Sequence, residues 1–370
     1  MIRVLHISGC GDAGGISSVI RNYYQFIDHE KVHFDLALTV PTAGQNAHAL
    51  EAMGAKIFFI PLKSENMQGF RQELTRLLIE GKYNALHVHE SETSYVALRI
   101  AKQLGIPCRV AHAHITSPYE GIRGVLRRWS GCIFNYHYAS HVIACGQLAG
   151  ERIFGKHNMK RPKALVLPNA VDTEKFGFRP EIRREMRREL GVEDNYVLGM
   201  VARLSEQKNI PFAVEMMAKL VKKIPNAVLL IAGNGEDEQL IREKIRACHM
   251  ENTVRLLGRR ADVDRLYQAF DLFLLPSLYE GYPVAAVEAM SSGLPVLIST
   301  LVTDELKFGS AVQYLSLKNM ESWVEAAETW QQDGNRALRQ KEIPEHNLDI
   351  RSCAEILLRV YEEDTALSGR

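Results

Sequence analysis

Short apolar runs alternate with amphipathic stretches along almost the whole chain. Runs at Ile2–Ser8, Phe34–Val40, Lys56–Pro61, Ala85–His89, Cys108–His112, His141–Cys145 and Ala164–Leu167 read as strands. Helical periodicity fills the gaps, at Ile16–Ile27, Asn46–Met53, Phe70–Glu80, Thr93–Leu104, Gly124–Ala139 and Leu148–Phe154. The rhythm pauses around Asn169–Asp172 and a charged segment with five arginines, Arg179–Leu190. It restarts at strand Tyr196–Val201. Helices at Ile210–Ile224, Asp237–Cys248 and Val263–Ala269 then alternate with strands at Ala227–Ala232 and Val254–Leu257. A last amphipathic helix, Ile350–Glu363, carries Ile356, Leu357, Val360 and Tyr361 on one stripe.

Such alternation predicts parallel sheets wrapped by helices. The pause divides the chain into residues 1–175 and 176–348, each a Rossmann-like doubly wound unit. The stretch Asp271–Ser299 stands out in the second half. An apolar strand, Leu272–Leu275, runs into Glu280-Gly281-Tyr282-Pro283. A helix starting at Pro283 or just after ends at Gly293, and strand Pro295–Ile298 follows. The stretch holds two acids, Glu280 and Glu288. An acid inside so apolar a helix needs a partner, because carboxylates are rarely buried alone.

Composition narrows the class. With 370 residues, two domains are expected, and 46% apolar and 24% charged residues suit a soluble globular protein. A net charge of +1 offers nothing to nucleic acid. Six scattered cysteines without a CxxC spacing fit reduced thiols and a cytoplasmic chain. No leader pattern or bilayer-length apolar segment is expected to remove it from there.

Candidate chemistry sits at strand ends. Gly11–Gly15 follows the first strand, where backbone N–H groups and a helix start suit an anion. Taken alone, it is equally a plain strand–helix turn. Arg203 lies at the carboxyl end of the strand that opens the second half, and Lys208 just before a helix. A guanidinium fork and an ammonium point charge suit a diphosphate, although two solvated cations would look the same. An eight-residue helix spans roughly 12 Å. Glu280 and Glu288 therefore suit different parts of one extended ligand better than one bond.

In order along the chain stand Gly14-Gly15, a histidine after a mid-domain strand, Leu167-Pro168-Asn169-Ala170-Val171-Asp172, Val201-Ala202-Arg203-Leu204 with Lys208-Asn209, Ala232-Gly233-Asn234-Gly235, Leu257-Gly258, and Leu275-Pro276-Ser277 through Glu280 to Glu288. With these motifs the chain resembles the retaining, nucleotide-sugar-dependent glycosyltransferases of family 4. GGISSVIRNYY near the start and Thr303-Asp304-Glu305 are nearest to bacterial capsule and exopolysaccharide enzymes. Ala170 departs from the family's usual glycine, at a linker turn.

The resemblance implies a GT-B fold, with two Rossmann-like domains facing across a cleft. Residues 1–175 would bind the acceptor, residues 176–348 the donor, and residues 349–370 would cross back onto the first domain. Arg203 and Lys208 would hold the donor diphosphate, with backbone N–H groups of Gly14 and Gly15 assisting. Glu288 would bind the ribose and Glu280 the transferred sugar, helped by Gly281, Tyr282 and Val284. Gly233 belongs to the same pocket, and Gly258 to Arg260 would frame the nucleobase. His114, ranked above His112, would stand beside the reacting centre. The implied donor is a UDP-sugar, with no cofactor and no metal.

His87/His89 and His112/His114 form same-face pairs on neighbouring strands, a spacing that zinc also uses. The family reading explains them without a metal. Arg123/Arg127/Arg128 and Arg152–Lys163 read as solvated faces that suit an anionic leaflet, and hence a lipid-linked acceptor. Arg179–Arg188 also reads as a solvated face. An epimerase or phosphorylase on the same fold, and a non-catalytic sugar-nucleotide-binding subunit, are the competing readings.

Overall fold

A computed structural model describes residues 1–9, 15–89, 93–114, 121–331, 335–341, 343 and 348–367. It divides into two units, Met1–Ala170 with Ile350–Arg370, and Val171–Asp349. The second unit begins five residues before the pause in the pattern suggests. The reason is local. Val171 bridges Asp349 in parallel, its N–H donates to Leu348 O at 3.0 Å, and Thr173 Oγ1 donates to Asp349 Oδ2 at 2.5 Å. The outgoing and returning chains are therefore paired within the second unit.

The first unit carries β1 Ile2–Ser8, β2 Val32–Leu38, β3 Ile57–Phe59, β4 Ala85–Val88, β5 Cys108–Ala113, β6 His141–Ala144 and β7 Ala164–Val166. They form one parallel sheet in the order β3-β2-β1-β4-β5-β6-β7. Helix Ile350–Leu367 packs in this unit, where Tyr361 is fully buried.

The second unit carries β8 Tyr196–Val201, β9 Ala227–Ala232, β10 Val254–Gly258, β11 Leu272–Leu275, β12 Val296–Ser299 and β13 Val312–Leu315. Its parallel order is β10-β9-β8-β11-β12-β13. The central strands β9, β11 and β12 are buried at every position. That explains their unbroken apolar runs, since helices cover both faces of such a sheet. β13 was not expected. It is an edge strand whose Gln313 is exposed, so it lacks a continuous apolar signature.

Each order reverses once, between β1 and β4 in the first sheet and between β8 and β11 in the second. Doubly wound sheets bind ligands at the carboxyl ends of strands flanking such a point.

Candidate active site

In the second unit the reversal point brings Lys208 and Glu280 together. After β8 the chain turns through Ala202–Ser205, where Leu204 N donates to Asn234 O at 2.9 Å. A 3-10 turn, Glu206–Lys208, then leads to Asn209 in the left-handed region, φ 50°, before helix Ile210–Leu220. This sharp turn sends Lys208 across to β11. Lys208 Nζ lies 2.5 Å from Glu280 Oε1, which also accepts from Ser277 Oγ at 2.8 Å. Gln207 Nε2 reaches Glu280 Oε2 at 3.3 Å. Glu280 is only 8% exposed, so its charge depends on these partners.

Arg203 does not join that group. Its Nε donates to Glu236 Oε2 at 3.0 Å, and its side chain is 70% exposed. Such a surface pair holds it weakly, leaving the guanidinium free to turn toward an anion.

Helix Val284–Ser291 starts just after its proline, as the sequence pattern predicts. Pro283 caps it with ψ 100° and stays outside, so Val284 is the first helical residue. Gly281 and Tyr282 lie in the preceding loop, next to the positive end of this helix. One turn on, Glu288 accepts from Tyr267 Oη at 2.8 Å. Burial and the nearby Glu288 charge push the Tyr267 phenol far above its ordinary pKa, so it stays a donor.

Gly233 follows β9 at φ 142°, and a Cβ there would sit 1.8 Å from Ala202 O. Only glycine fits where these two turns cross. Its N–H donates to Gly258 O at 2.8 Å, and Gly258 is itself left-handed at φ 67°. The Arg260 guanidinium grips Asp262 at 2.8 and 2.6 Å and reaches Glu189 at 3.3 Å. The hydrogen bond to Asp262 raises its pKa, and the side chain is thereby engaged.

In the first unit, Gly14 lies outside the described residues, while Gly15 opens helix Gly15–Phe26. The carboxyl ends of β1, β4 and β5 carry five clustered histidines. His6 Nδ1 is 2.9 Å from His89 Nε2, His89 Nδ1 is 2.8 Å from His114 Nε2, and His87 Nε2 is 3.1 Å from His112 Nδ1. Tyr361 Oη lies 2.6 Å from His87 Nδ1. Burial pushes His6 and His114 down to about 3, and His87, His89 and His112 well below their ordinary value. All five are neutral at neutral pH.

A model of glycosyl transferases group 1 matches residues 182–342, and a Glycosyltransferase Family 4 model matches residues 13–175. The chain is 33% identical over 336 residues to a Bacillus subtilis (strain 168) protein named as glycosyltransferase EpsF, covering 87% of this chain and 86% of that one. The chain belongs to the family 4 glycosyltransferases. It is 28% identical over 314 residues to an Escherichia coli UDP-Gal:alpha-D-GlcNAc-diphosphoundecaprenol alpha-1,3-galactosyltransferase, covering 81% of this chain and 80% of that one. Anabaena HepE in complex with UDP-glucose superposes with a TM-score of 0.81 at 20% identity, over the full length of both chains. The fold is GT-B.

Several residues of this family 4 glycosyltransferase escaped the sequence reading. Ser277 and Gln207 support Glu280, and both are close in sequence to predicted site residues. Tyr267 sits on the preceding helix and carries no local mark. His6 and Tyr361 complete the histidine cluster from distant strand and helix. The reading of Arg179–Arg188 as a solvated face is corrected. The segment contains helix Pro180–Leu190, with Pro180 at its start and left-handed Gly191 at its end. Arg183 and Arg187 turn inward onto Asp271 at 2.5 and 3.1 Å and onto carbonyls of residues 268–270. The sequence signal was the i,i+4 spacing of two arginines inside a well-capped helix.

Proposed function

We propose that this glycosyltransferase moves a hexose from a nucleoside diphosphate sugar to an acceptor hydroxyl, with retention of anomeric configuration. The observation that carries the reading is the buried Lys208–Glu280 pair at the reversal point of the second sheet, with Glu288 one helix further on. The second unit then binds the donor. Lys208 and Arg203 face the diphosphate, Glu280 the sugar hydroxyls and Glu288 the ribose. The sugar C1–O bond to the diphosphate breaks, the acceptor oxygen bonds C1 on the same face, and its proton passes to a diphosphate oxygen. Charge accumulates on the leaving diphosphate, where the two cations and the start of helix Val284–Ser291 stabilise it. These cations supply the compensation a divalent metal would otherwise give, so we read the transfer as metal-independent.

A UDP-sugar donor is supported by the names of two similar proteins, the E. coli galactosyltransferase and HepE bound to UDP-glucose. The first also supports a lipid-linked sugar acceptor, bound by the first unit, and hence a role in bacterial surface polysaccharide or glycolipid synthesis. Incubating the protein with a panel of nucleotide sugars should raise its thermal midpoint most with one UDP-sugar. Release of UDP from that sugar should require an acceptor hydroxyl. Epimerised sugar without transfer, or binding without turnover, would favour the competing readings.

A peripheral contact with the inner face of the cytoplasmic membrane fits the same picture. No helix among the described residues is long and apolar enough to cross a membrane. Helix Gly121–Tyr138 nevertheless exposes Leu126, Trp129 and Ile133 on one face, Trp129 at 65%, with Arg128 beside them. Apolar side chains next to cations suit the surface of an anionic bilayer. Trp129→Ala should weaken co-sedimentation with phosphatidylglycerol vesicles about tenfold, while turnover on a soluble acceptor stays unchanged. Equal sedimentation of both proteins would exclude this contact.

A further inference from the structure

The other end of the first sheet holds a second cluster of titratable side chains. Cys108 opens β5 and His141 opens β6. Val110 pairs with His141, and Cys108 precedes Val110 by two, so Cys108 and His141 share one face of the sheet. Helix Ile350–Leu367 packs against β5 and adds Asp364. His141 Nδ1 lies 3.0 Å from Asp364 Oδ2. One ligand atom from each residue (the Cys108 sulfur, a His141 ring nitrogen and an Asp364 oxygen) lies within 4.8 Å of the other two.

A thiolate, an imidazole and a carboxylate are donors that zinc takes, at about 2.3, 2.0 and 2.0–2.2 Å. A tetrahedral ion with those bond lengths sets its ligand atoms roughly 3.3–3.6 Å apart. The His141–Asp364 edge needs only a few tenths of an ångström more, and no edge to sulfur has more than about 1.2 Å to close. The second nitrogen of His141, Nε2, faces Glu363 Oε2 at 3.9 Å. A carboxylate behind a ligating histidine is the usual outer partner in zinc sites.

Charge and access agree with this geometry. Burial raises the Asp364 pKa, but hydrogen bonds with His141 and Ser140 more than reverse that, so the group is a carboxylate. Burial and the Asp364 charge push the Cys108 thiol well above its ordinary value, so without a metal it keeps its proton. A dication that displaces this proton meets one thiolate and one carboxylate, which leaves the site neutral and removes the cost of an uncompensated charge. Cys108 is sealed, whereas the His141 and Asp364 side chains are 15% and 17% exposed. That side gives an ion its entry path and leaves room for a water as fourth ligand.

We propose that Cys108, His141 and Asp364 form a zinc site that staples the C-terminal helix to the first sheet. On binding, Zn2+ bonds to Cys108 Sγ, His141 Nδ1 and an Asp364 oxygen. The thiol proton leaves to solvent, and the imidazole keeps its one proton on Nε2, toward Glu363. Asp364 lies 223 residues after His141, so the ion closes a long loop of chain. The site sits at the amino ends of β5 and β6, whereas doubly wound sheets bind their ligands at the carboxyl ends. The ion is therefore structural. It is independent of the sugar transfer proposed above and takes no part in it.

The full chain, free of any affinity tag and stripped with EDTA under reducing conditions, should take up one zinc per chain in competition with a chromophoric chelator. Its thermal midpoint should rise by roughly 5–10 °C at a hundredfold excess of zinc over Kd. Cobalt(II) in place of zinc should give a sulfur-to-cobalt charge-transfer band. Cys108→Ala should abolish that band and weaken zinc binding at least about 100-fold, since outer partners alone are worth 10- to 100-fold. Asp364→Asn, at a partly exposed helix position, should weaken zinc as much and decides the matter if Cys108→Ala does not fold. Cys132→Ala should leave uptake, midpoint shift and band unchanged. No zinc uptake, uptake without a charge-transfer band, a band that survives Cys108→Ala, or parental zinc affinity in Asp364→Asn overturns the proposal.

Discussion

Lys208→Ala should lower kcat/KM with the preferred donor by about 10²- to 10³-fold, the usual cost of removing one preorganised group that stabilises developing charge. The lysine does two jobs, and a second substitution separates them. In the free protein it neutralises buried Glu280, and in the transfer proposed above it would face the leaving diphosphate. Removing it leaves Glu280 with the Ser277 hydroxyl and the Gln207 amide, 2.8 and 3.3 Å away. A buried carboxylate stripped of its cation should cost about 1–3 kcal/mol of stability. Adding Glu280→Gln removes the stranded charge, so the double variant should regain most of that stability while staying as inactive as Lys208→Ala. Melting curves and kcat/KM for the two singles and the double form a complete cycle. Activity that returned together with stability would mean that Lys208 serves the fold and not the reaction. Lys208→Arg should not rescue turnover, because a planar fork cannot replace a point charge in the narrow turn before helix Ile210–Leu220.

The parts of this fold that are readable in sequence are those with local causes. Buried parallel strands such as Ala227–Ala232 must be apolar at every position, and turns such as the one at Gly233 admit only glycine. The pairing residues Lys208 and Glu280 stood out as candidates because they follow strands and break an apolar pattern. What was hidden has causes elsewhere in the chain. A partner of Glu288 is a phenol 21 residues upstream. Arg183 and Arg187 looked like surface charges because their carboxylate partner, Asp271, lies 88 and 84 residues away and their other acceptors are backbone carbonyls, which leave no trace in residue identity. β13 was invisible because an edge strand need bury only part of itself. His6 joined the histidine cluster only through strand order, since β1 lies next to β4 rather than next to its successor alone.

The same blindness to carbonyls conceals the second large effect, at Arg336. This arginine is buried, and its guanidinium donates to four carbonyl oxygens: Ser292 at 2.6 Å, Tyr267 at 2.7 Å, Phe270 at 2.7 Å and Gln268 at 3.1 Å. Its ring partner Phe178 lies 4.4 Å below. Arg183 also donates to the carbonyls of Gln268 and Phe270, so those two keep a partner if Arg336 is lost. The carbonyls of Ser292 and Tyr267 are held by Arg336 itself. Arg336→Ala should therefore destabilise the protein by about 2–6 kcal/mol, at about 1–3 kcal/mol for each of the Ser292 and Tyr267 carbonyls that loses its arginine. Urea unfolding should show this as a lowered midpoint. Arg336→Lys should recover little, since one ammonium cannot span carbonyls that a fork reaches from two sides. The consequence extends to ligand binding. Tyr267 and Gln268 end helix Val263–Ala269, and the Tyr267 phenol holds Glu288. Loosening that helix end lets Glu288 move, so the folded fraction of Arg336→Lys should bind nucleotide less tightly while retaining the chemical step. A raised donor KM with kcat nearly unchanged supports this coupling. Parental KM in a protein destabilised by several kcal/mol would show that Arg336 secures the core without reaching the site.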